Sequence, residues 1–134
     1  MFKFLPHTAD IRIRISGKTK EKIFIDSLRA INIYLKPVFF RPFIFKKFIL
    51  KIEKSEKDID NLIDFLNKIL ALVYIKKFIF EIEDIKINNK KNIIFKLKGR
   101  KFKKIKRDIK SVTYHNVFFT KEKNFYIAEF VIDV

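Results

Sequence analysis

Hydrophobic and polar residues alternate along much of this chain with the two-residue period of β-strands. Residues 11–15 alternate isoleucine with arginine, as in a strand with one face buried. The same pattern, bounded by short polar turns, predicts further strands. These are residues 2–5, 44–53, 78–87, 93–98, 110–119 and 125–133.

Two other segments repeat their apolar residues at spacings of three and four, which is the period of an amphipathic helix. The first is predicted over residues 19–35, with Thr19 as its N-cap and Pro37 just beyond its end. The second is predicted over about residues 58–74, with Asp58 as its cap.

About seven strands and two helices in this order indicate an α+β fold with a mainly antiparallel sheet and two packed helices. Several strands, such as residues 78–80 and 117–119, carry apolar side chains on both faces and need cover on both sides. We therefore expect a two-layer sheet or a partly closed barrel. The 134 residues contain no Pro-, Gly- or Ser-rich linker, so a single domain over residues 1–134 is expected.

Composition excludes several classes of protein. The absence of cysteine rules out disulfides and thiolate metal sites, and two glycines cannot supply a Walker A loop or a dinucleotide fingerprint. No serine stands in a nucleophile elbow, and no convincing acid–base pair is present, so we do not expect an enzyme. The apolar runs are broken by lysine and the N-terminus lacks a secretory pattern, which predicts a cytoplasmic protein without a membrane partner.

The formal net charge of +16 has two interpretations. It can mark a surface for RNA or for an acidic partner, or it can reflect the lysine-rich drift of an A+T-rich genome. The densest basic run, residues 96–107, could likewise bind phosphates or form a solvated loop. Nonspecific binding to tRNA or other RNA at low salt is expected in either case.

The residues with the clearest chemical potential are two aspartates far apart in sequence. Asp10 stands at the start of a strand, where an aspartate commonly accepts hydrogen bonds from local backbone amides. Asp133 ends an otherwise apolar strand, and the main chain of Val134 adds further oxygen. If these groups meet, they repel one another unless a cation or a basic side chain neutralises them. Ligation by oxygen alone suits Ca²⁺, Mg²⁺ or Mn²⁺.

Four further residues are candidates for contact with a partner or a phosphate: His7, Asp64, Lys110 and His115. The two histidines leave a zinc site of the His₂–carboxylate type open, although their spacing carries no zinc signature. His115 is otherwise a polar residue on the outward face of a strand. Asp64 lies either at the solvent edge of the second helix or towards a polar site.

Four segments of the sequence together resemble the archease family. They are FLPHTADI at residues 4–11, DIDNLIDFLNKIL at residues 58–70, DIKSVTYHN at residues 108–116 and FVIDV at residues 130–134. The resemblance implies a protein cofactor of an RtcB-type RNA ligase, which joins a 5′-hydroxyl RNA to a 3′-phosphate or 2′,3′-cyclic phosphate end in tRNA splicing, using GTP and a guanylylated histidine. It also implies that archease promotes guanylylation and repeated turnover, without ligase activity of its own. The family's metal site would fall on Asp10, Asp133 and Val134.

The chain departs from the family pattern in two places. Residues 101–104 read Lys-Phe-Lys-Lys where acidic and histidine residues are expected, and Lys68 follows Asn67 where an acidic residue is usual. Two other classes stay open beside the ligase activator. One is a basic RNA-binding module without a ligase-activating role, and the other is a metal-dependent hydrolase.

Overall fold

The computed structural model describes residues 1–5, 10–87 and 90–134, with Leu5 described by its backbone only. This part of the chain forms eight strands and two helices. In chain order they are β1 (Phe2–Leu5), β2 (Asp10–Gly17), α1 (Lys20–Leu35), β3 (Pro37–Phe39), β4 (Phe45–Glu53), α2 (Asp58–Lys76), β5 (Phe78–Lys86), β6 (Asn92–Ile105), β7 (Ser111–Glu122) and β8 (Phe125–Asp133).

The first sheet joins the two ends of the chain. Its strand order is β1–β2–β8–β7, and all its pairings are antiparallel. Alternate residues of β2 and β8, such as Ile13 and Phe130, are fully buried, whereas Arg14 lies on the opposite face. Because side chains alternate across a strand, the isoleucine–arginine pattern of residues 11–15 sets which face of this sheet is buried.

The second sheet is built around β6, the longest strand. β4 pairs with β6 from Asn92 to Arg100, β5 pairs with it from Ile94 to Lys101, and β3 pairs with its end from Phe102 to Ile105. All three pairings are antiparallel. Gly99 lies at a crowded position of this sheet, since a Cβ there would come within 3.0 Å of Phe78 and 3.1 Å of Phe48.

The two helices connect the sheets. α1 contacts β2 and β8 of the first sheet and β5 of the second, while α2 contacts β7, β4 and β5. Phe24 of α1 illustrates this arrangement, because its ring packs against Phe65 of α2, Phe95 of β6 and Phe119 of β7. One continuous core of buried residues therefore includes side chains from both helices and both sheets.

The predicted α+β class with mainly antiparallel strands and two packed helices is confirmed. The strands form two sheets, and neither closes into a barrel within the described residues. The Thr19 cap is also confirmed, since its hydroxyl accepts a hydrogen bond of 3.1 Å from the Lys22 amide. The single-domain assignment stays a prediction.

Three local predictions were wrong. Asp58 is the first residue of α2 and not its cap; Lys57 occupies that position without a side-chain hydrogen bond. Residues 37–39 form the short strand β3, where no strand was predicted. Residues 99–105 continue β6, so most of the basic run belongs to a strand and not to a loop.

Asp26 is a buried carboxylate that ties α1 to the start of the chain. It lies 2.6 Å from the Met1 ammonium, 3.2 Å from Lys22 Nζ and 3.3 Å from Arg29 Nη1. Burial raises the pKa of Asp26, but hydrogen bonds and charges of Met1 and Lys22 together outweigh burial, and the resulting pKa is below its usual value.

Asp26→Asn is expected to lower the free energy of unfolding by about 1–3 kcal/mol at pH 7, because it removes charge-assisted hydrogen bonds. A carboxyl with a lowered folded pKa stabilises the protein above its unfolded pKa of 3.8, and this stabilisation disappears as pH falls through the folded value. The difference between the two proteins in urea unfolding should therefore shrink below about pH 4. Asp84→Asn, at an exposed position of β5, is the control. An Asp26→Asn difference that is constant from pH 7 to pH 3 would contradict this assignment.

Candidate functional site

A row of three polar residues crosses the first sheet at the end where β8 finishes. Asp10 of β2 is the direct register partner of Asp133 of β8, and Asp133 is in turn the partner of Ser111 of β7. Directly opposed residues of antiparallel strands have Cβ atoms about 4.5–5.5 Å apart and project from the same face. The structure thus brings together the two carboxylates that the sequence singled out, and each is only partly exposed.

The position of this row follows from the alternation of the strands. The neighbouring residues Ile11, Ile132 and Val112 point towards the core, with Ile132 and Val112 almost fully buried. Asp10 and Asp133 therefore occupy the opposite face. A one-residue slip of either strand would bury a carboxylate, so the apolar pattern of β2 and β8 fixes the pairing.

Among the described residues, no basic side chain neutralises the carboxylate pair. Arg12 is the nearest candidate along β2, but its guanidinium donates to the Asn116 carbonyl at 2.6 Å and lies 3.6 Å from the Glu129 carboxylate. Arg14 makes a closer ion pair with Glu129, at 2.6 Å. Since Glu129 is buried and takes both arginines, the Asp10–Asp133 pair has no ion-pair partner in the described part of the chain.

Few protein ligands among the described residues are available to a cation at this pair. The described residues contain no group of three His, Cys, Asp or Glu side chains placed to hold a metal. Further oxygen donors in the described part of the chain are the main chain of Val134, next to Asp133, and the hydroxyl of Ser111. A site of this kind fits a hard cation that keeps several waters, and its described donors include no nitrogen or sulfur ligand of the kind typical of zinc.

Two residues of α2 hold β7 and the segment just before it in place beside the row. Asn67 forms a pair of hydrogen bonds with the backbone of Val112, donating to its carbonyl at 2.9 Å and accepting from its amide at 2.8 Å. The Tyr74 hydroxyl accepts from the Ile109 amide at 2.9 Å. Burial, together with the charge of Asp108, raises the pKa of Tyr74. The second helix therefore sets the position of Ser111 through the backbone on both sides of it.

Asp64 and His115 lie away from the carboxylate row. Asp64, on the exposed side of α2, forms an ion pair of 3.1 Å with Lys68, and so occupies the edge of the apolar stripe. Burial raises the pKa of Tyr114, and the charges of Asp60 and Asp64 raise it further, which places this phenol beside the same helix. His115 is exposed, four residues beyond Ser111 where the β7–β8 register shifts, and its Nε2 lies 3.1 Å from Asn116 Nδ2.

Lys110 lies close to the row through its backbone. Its amide donates to the Asp133 carbonyl at 2.7 Å, while its side chain is exposed and forms no ion pair with the carboxylates that the structure describes. His7 falls outside the described residues, so its predicted contact stays a prediction.

Sequence reasoning overlooked Ser111 as the third member of the row and Asn67 as the residue that anchors β7. Ser111 could have been found because it lies two residues before Thr113, and the two therefore share the polar face of a strand whose other face is apolar. Asn67 could have been found because its polar side chain stands one helical turn after Asp64, beside the apolar stripe of α2.

Comparison with known proteins agrees with this fold. The model of the Archease protein family (MTH1598/TM1083) matches residues 2–134. The chain belongs to the archease family, as its four sequence segments predicted. It is 26% identical over 143 residues to protein archease of Methanosarcina barkeri, and the match covers 99% of this chain and 95% of that protein.

Two solved structures share the architecture. The solution structure of protein 1598 of Methanobacterium thermoautotrophicum superposes with a TM-score of 0.70 at 16% identity, covering 99% of this chain and 98% of the other. The crystal structure of a Thermotoga maritima archease, described as a possible chaperone, gives a TM-score of 0.69 at 23% identity, covering 98% and 96%. At these identities the likeness concerns the fold. No helix in the described ranges is long and apolar enough to cross a membrane.

Proposed function

We propose that this protein activates an RtcB-type RNA ligase of the kind that acts in tRNA splicing, and that it has no ligase activity of its own. In this proposal it promotes guanylylation of the ligase and allows each ligase molecule to turn over repeatedly. Membership of the archease family supports the proposal, together with a site at one end of the first sheet. The proposal also places the protein in the cytoplasm with its ligase.

The observation that carries the proposal is the direct pairing of Asp10 with Asp133 in a part of the sheet where the described residues offer no basic partner. Two adjacent carboxylates raise each other's energy unless positive charge lies between them. The β2–β8 register does not itself require two carboxylates, because an alanine or threonine pair would satisfy the same pairing. The occurrence of the carboxylate pair supports a bound Ca²⁺, Mg²⁺ or Mn²⁺.

Asp10, Asp133 and the main-chain oxygen of Val134 would hold this cation. What a bound divalent cation supplies is positive charge, with open coordination positions for an anionic oxygen such as a phosphate. The chain's own residues define where this charge is placed. The β2–β8 register aligns the carboxylates, and the Asn67 and Tyr74 hydrogen bonds hold the neighbouring strand. Lys110, Asp64 and His115 are proposed to contact the ligase or its phosphate groups from the surrounding surface.

Multiple-turnover ligation tests the proposal. The cognate RtcB-type ligase is mixed with an excess of RNA bearing 5′-hydroxyl and 2′,3′-cyclic phosphate ends, GTP and one divalent metal at a time. Without this protein we expect about one joined product per ligase, and with sub-stoichiometric protein we expect many. Incorporation of labelled GMP into the ligase measures the guanylylation step separately.

The outcome is informative in both directions. No stimulation of either joining or guanylylation with Ca²⁺, Mg²⁺ and Mn²⁺ would contradict the proposal. Stimulation that persists when an equal amount of another basic protein replaces this one would show an effect of charge alone. RNA joining by this protein without the ligase would show that it is an enzyme.

A further inference from the structure

A cluster of aromatic and basic side chains lies on the second sheet, in a part of the fold that the ligase-activating proposal does not use. We define the aromatic–basic surface by six residues from β3, the β3–β4 loop, β4 and β6: Phe39, Arg41, Phe43, Phe45, Lys98 and Arg100. From this surface we infer a binding site for single-stranded RNA.

The centre of the aromatic–basic surface is Arg100. Its guanidinium carbon lies 4.6 Å from the ring centroid of Phe39, 4.4 Å from that of Phe43 and 5.6 Å from that of Phe45. Lys98 adds a second cation 4.3 Å from the Phe45 centroid. One guanidinium therefore lies within cation–π distance of three rings.

The rings are unusually accessible for phenylalanine. Phe43 is 39% exposed and Phe45 is 48% exposed, and the two rings meet edge to face at 6.1 Å. Phe39 packs against Phe43 at the same distance. Beside them a hollow of about 370 Å³ opens between Phe39, Phe45, Lys98 and the end of α1. A hollow of this size accommodates a planar base.

The cations of the aromatic–basic surface have unused donors. In the described part of the chain, Arg41, Lys98 and Arg100 form neither an ion pair nor a hydrogen bond, and their contacts are with rings. By contrast, Lys47 on the same sheet is paired with Glu83 at 3.2 Å. The free N–H groups of Arg41 and Arg100 are thus available to phosphate oxygens.

The combination of exposed rings with positive charge favours RNA over an acidic protein partner. The chain carries +16 overall, and Lys103 lies close by, above the ring of Phe40. Glu81 lines the same hollow and limits the surface on the β5 side. Exposed rings interleaved with free cations are how proteins bind single strands, since bases stack on the rings while the cations contact the backbone. Duplex RNA hides its bases and cannot use the rings.

Fluorescence anisotropy with a labelled 12-nucleotide oligouridylate, in the absence of any ligase, tests this inference. Phe43→Leu and Phe45→Leu keep an apolar side chain but remove the stacking face, and each should weaken binding by about 5- to 100-fold. Neither should change the salt dependence. Arg100→Gln should weaken binding and reduce the slope of log affinity against log salt by about 0.7 for each phosphate that the protein no longer neutralises.

Matched controls come from the first sheet. Phe125→Leu changes a ring that is 36% exposed, and Lys121→Gln removes a cation 5.8 Å from the Tyr126 ring. Both should bind the oligonucleotide like the wild type. Circular dichroism checks that each variant is folded. Because Phe45 is exposed, Phe45→Leu is the variant that should disturb the fold least.

Three results would overturn the inference. The first is unchanged affinity in folded Phe43→Leu and Phe45→Leu, and the second is an equal decrease in the first-sheet controls. The third is equal affinity for duplex RNA or for polyglutamate, which would show a general attraction to negative charge or an acidic protein partner. None of these depends on ligase stimulation, so failure here and failure of the proposed function are distinguishable.

Discussion

Asp133→Asn should reduce the metal-dependent stimulation of the ligase by about 10- to 100-fold, since even residues that only support metal ligands have effects of this size. Asp10→Asn should behave in the same way. Each change removes one charge of the pair with almost no change in shape, so the sheet should remain intact. Multiple-turnover ligation across a series of metal concentrations measures the effect, which should take the form of a higher metal requirement.

Thermal unfolding provides a readout that does not depend on the ligase. In the presence of a chelator, Asp133→Asn should be at least as stable as the wild type, because the repulsion with Asp10 is relieved. Adding Ca²⁺, Mg²⁺ or Mn²⁺ should raise the melting temperature of the wild type but not of the variant. Asp84→Asn, on the second sheet, is the control and should match the wild type in both assays. A wild type that none of the three metals stabilises would contradict the site.

Phe65→Ala should lower the free energy of unfolding by about 3–5 kcal/mol, the largest effect we expect on stability. Phe65 is fully buried, stacks on Phe95 of β6 with ring centroids 4.1 Å apart, and meets Phe24 of α1 at 5.6 Å. Removing the ring leaves a cavity where one helix contacts the other helix and the second sheet. Urea unfolding followed by circular dichroism measures the change.

Ile75→Ala is the matched control on the same helix. Ile75 is 72% exposed, so its truncation should change stability by less than about 0.5 kcal/mol. If Phe65→Ala costs less than about 1 kcal/mol, the core must collapse around the missing ring, and the packing between α2 and β6 is looser than the ring distances indicate.

Much of the fold could be predicted because its signals are local. The alternation of residues 11–15 and the apolar stripe of α1 need only neighbouring residues to be read, and both elements are where the pattern placed them. The length of β6 could not be predicted in this way. Beyond Gly99 its residues are basic at adjacent positions, which conceals alternation, and the strand is stabilised by pairing with β3, distant in sequence.

The candidate site likewise has a part that local sequence predicts and a part that depends on distant pairing. Sequence alone selected Asp10 and Asp133, because charges interrupt apolar strands there. It could not state that they are register partners, since pairing between residues 123 positions apart depends on the whole sheet. The aromatic–basic surface was harder still to foresee. In a chain with 31 lysines and arginines, nothing local distinguishes Arg100 from the cations around it, and only folding gathers three rings about it.

The central place of β6 has a consequence for how the cell makes this protein. In the described residues, β3, β4 and β5 have no sheet partner other than β6, so β3 and β4 cannot pair until synthesis has passed residue 92. In the first sheet, β2 cannot begin to pair with β8 until the chain reaches Tyr126, the partner of Gly17. The nascent chain therefore carries unpaired strand edges until β6 and β8 have been made, a state prone to aggregation. The many long-range pairings will make folding slow.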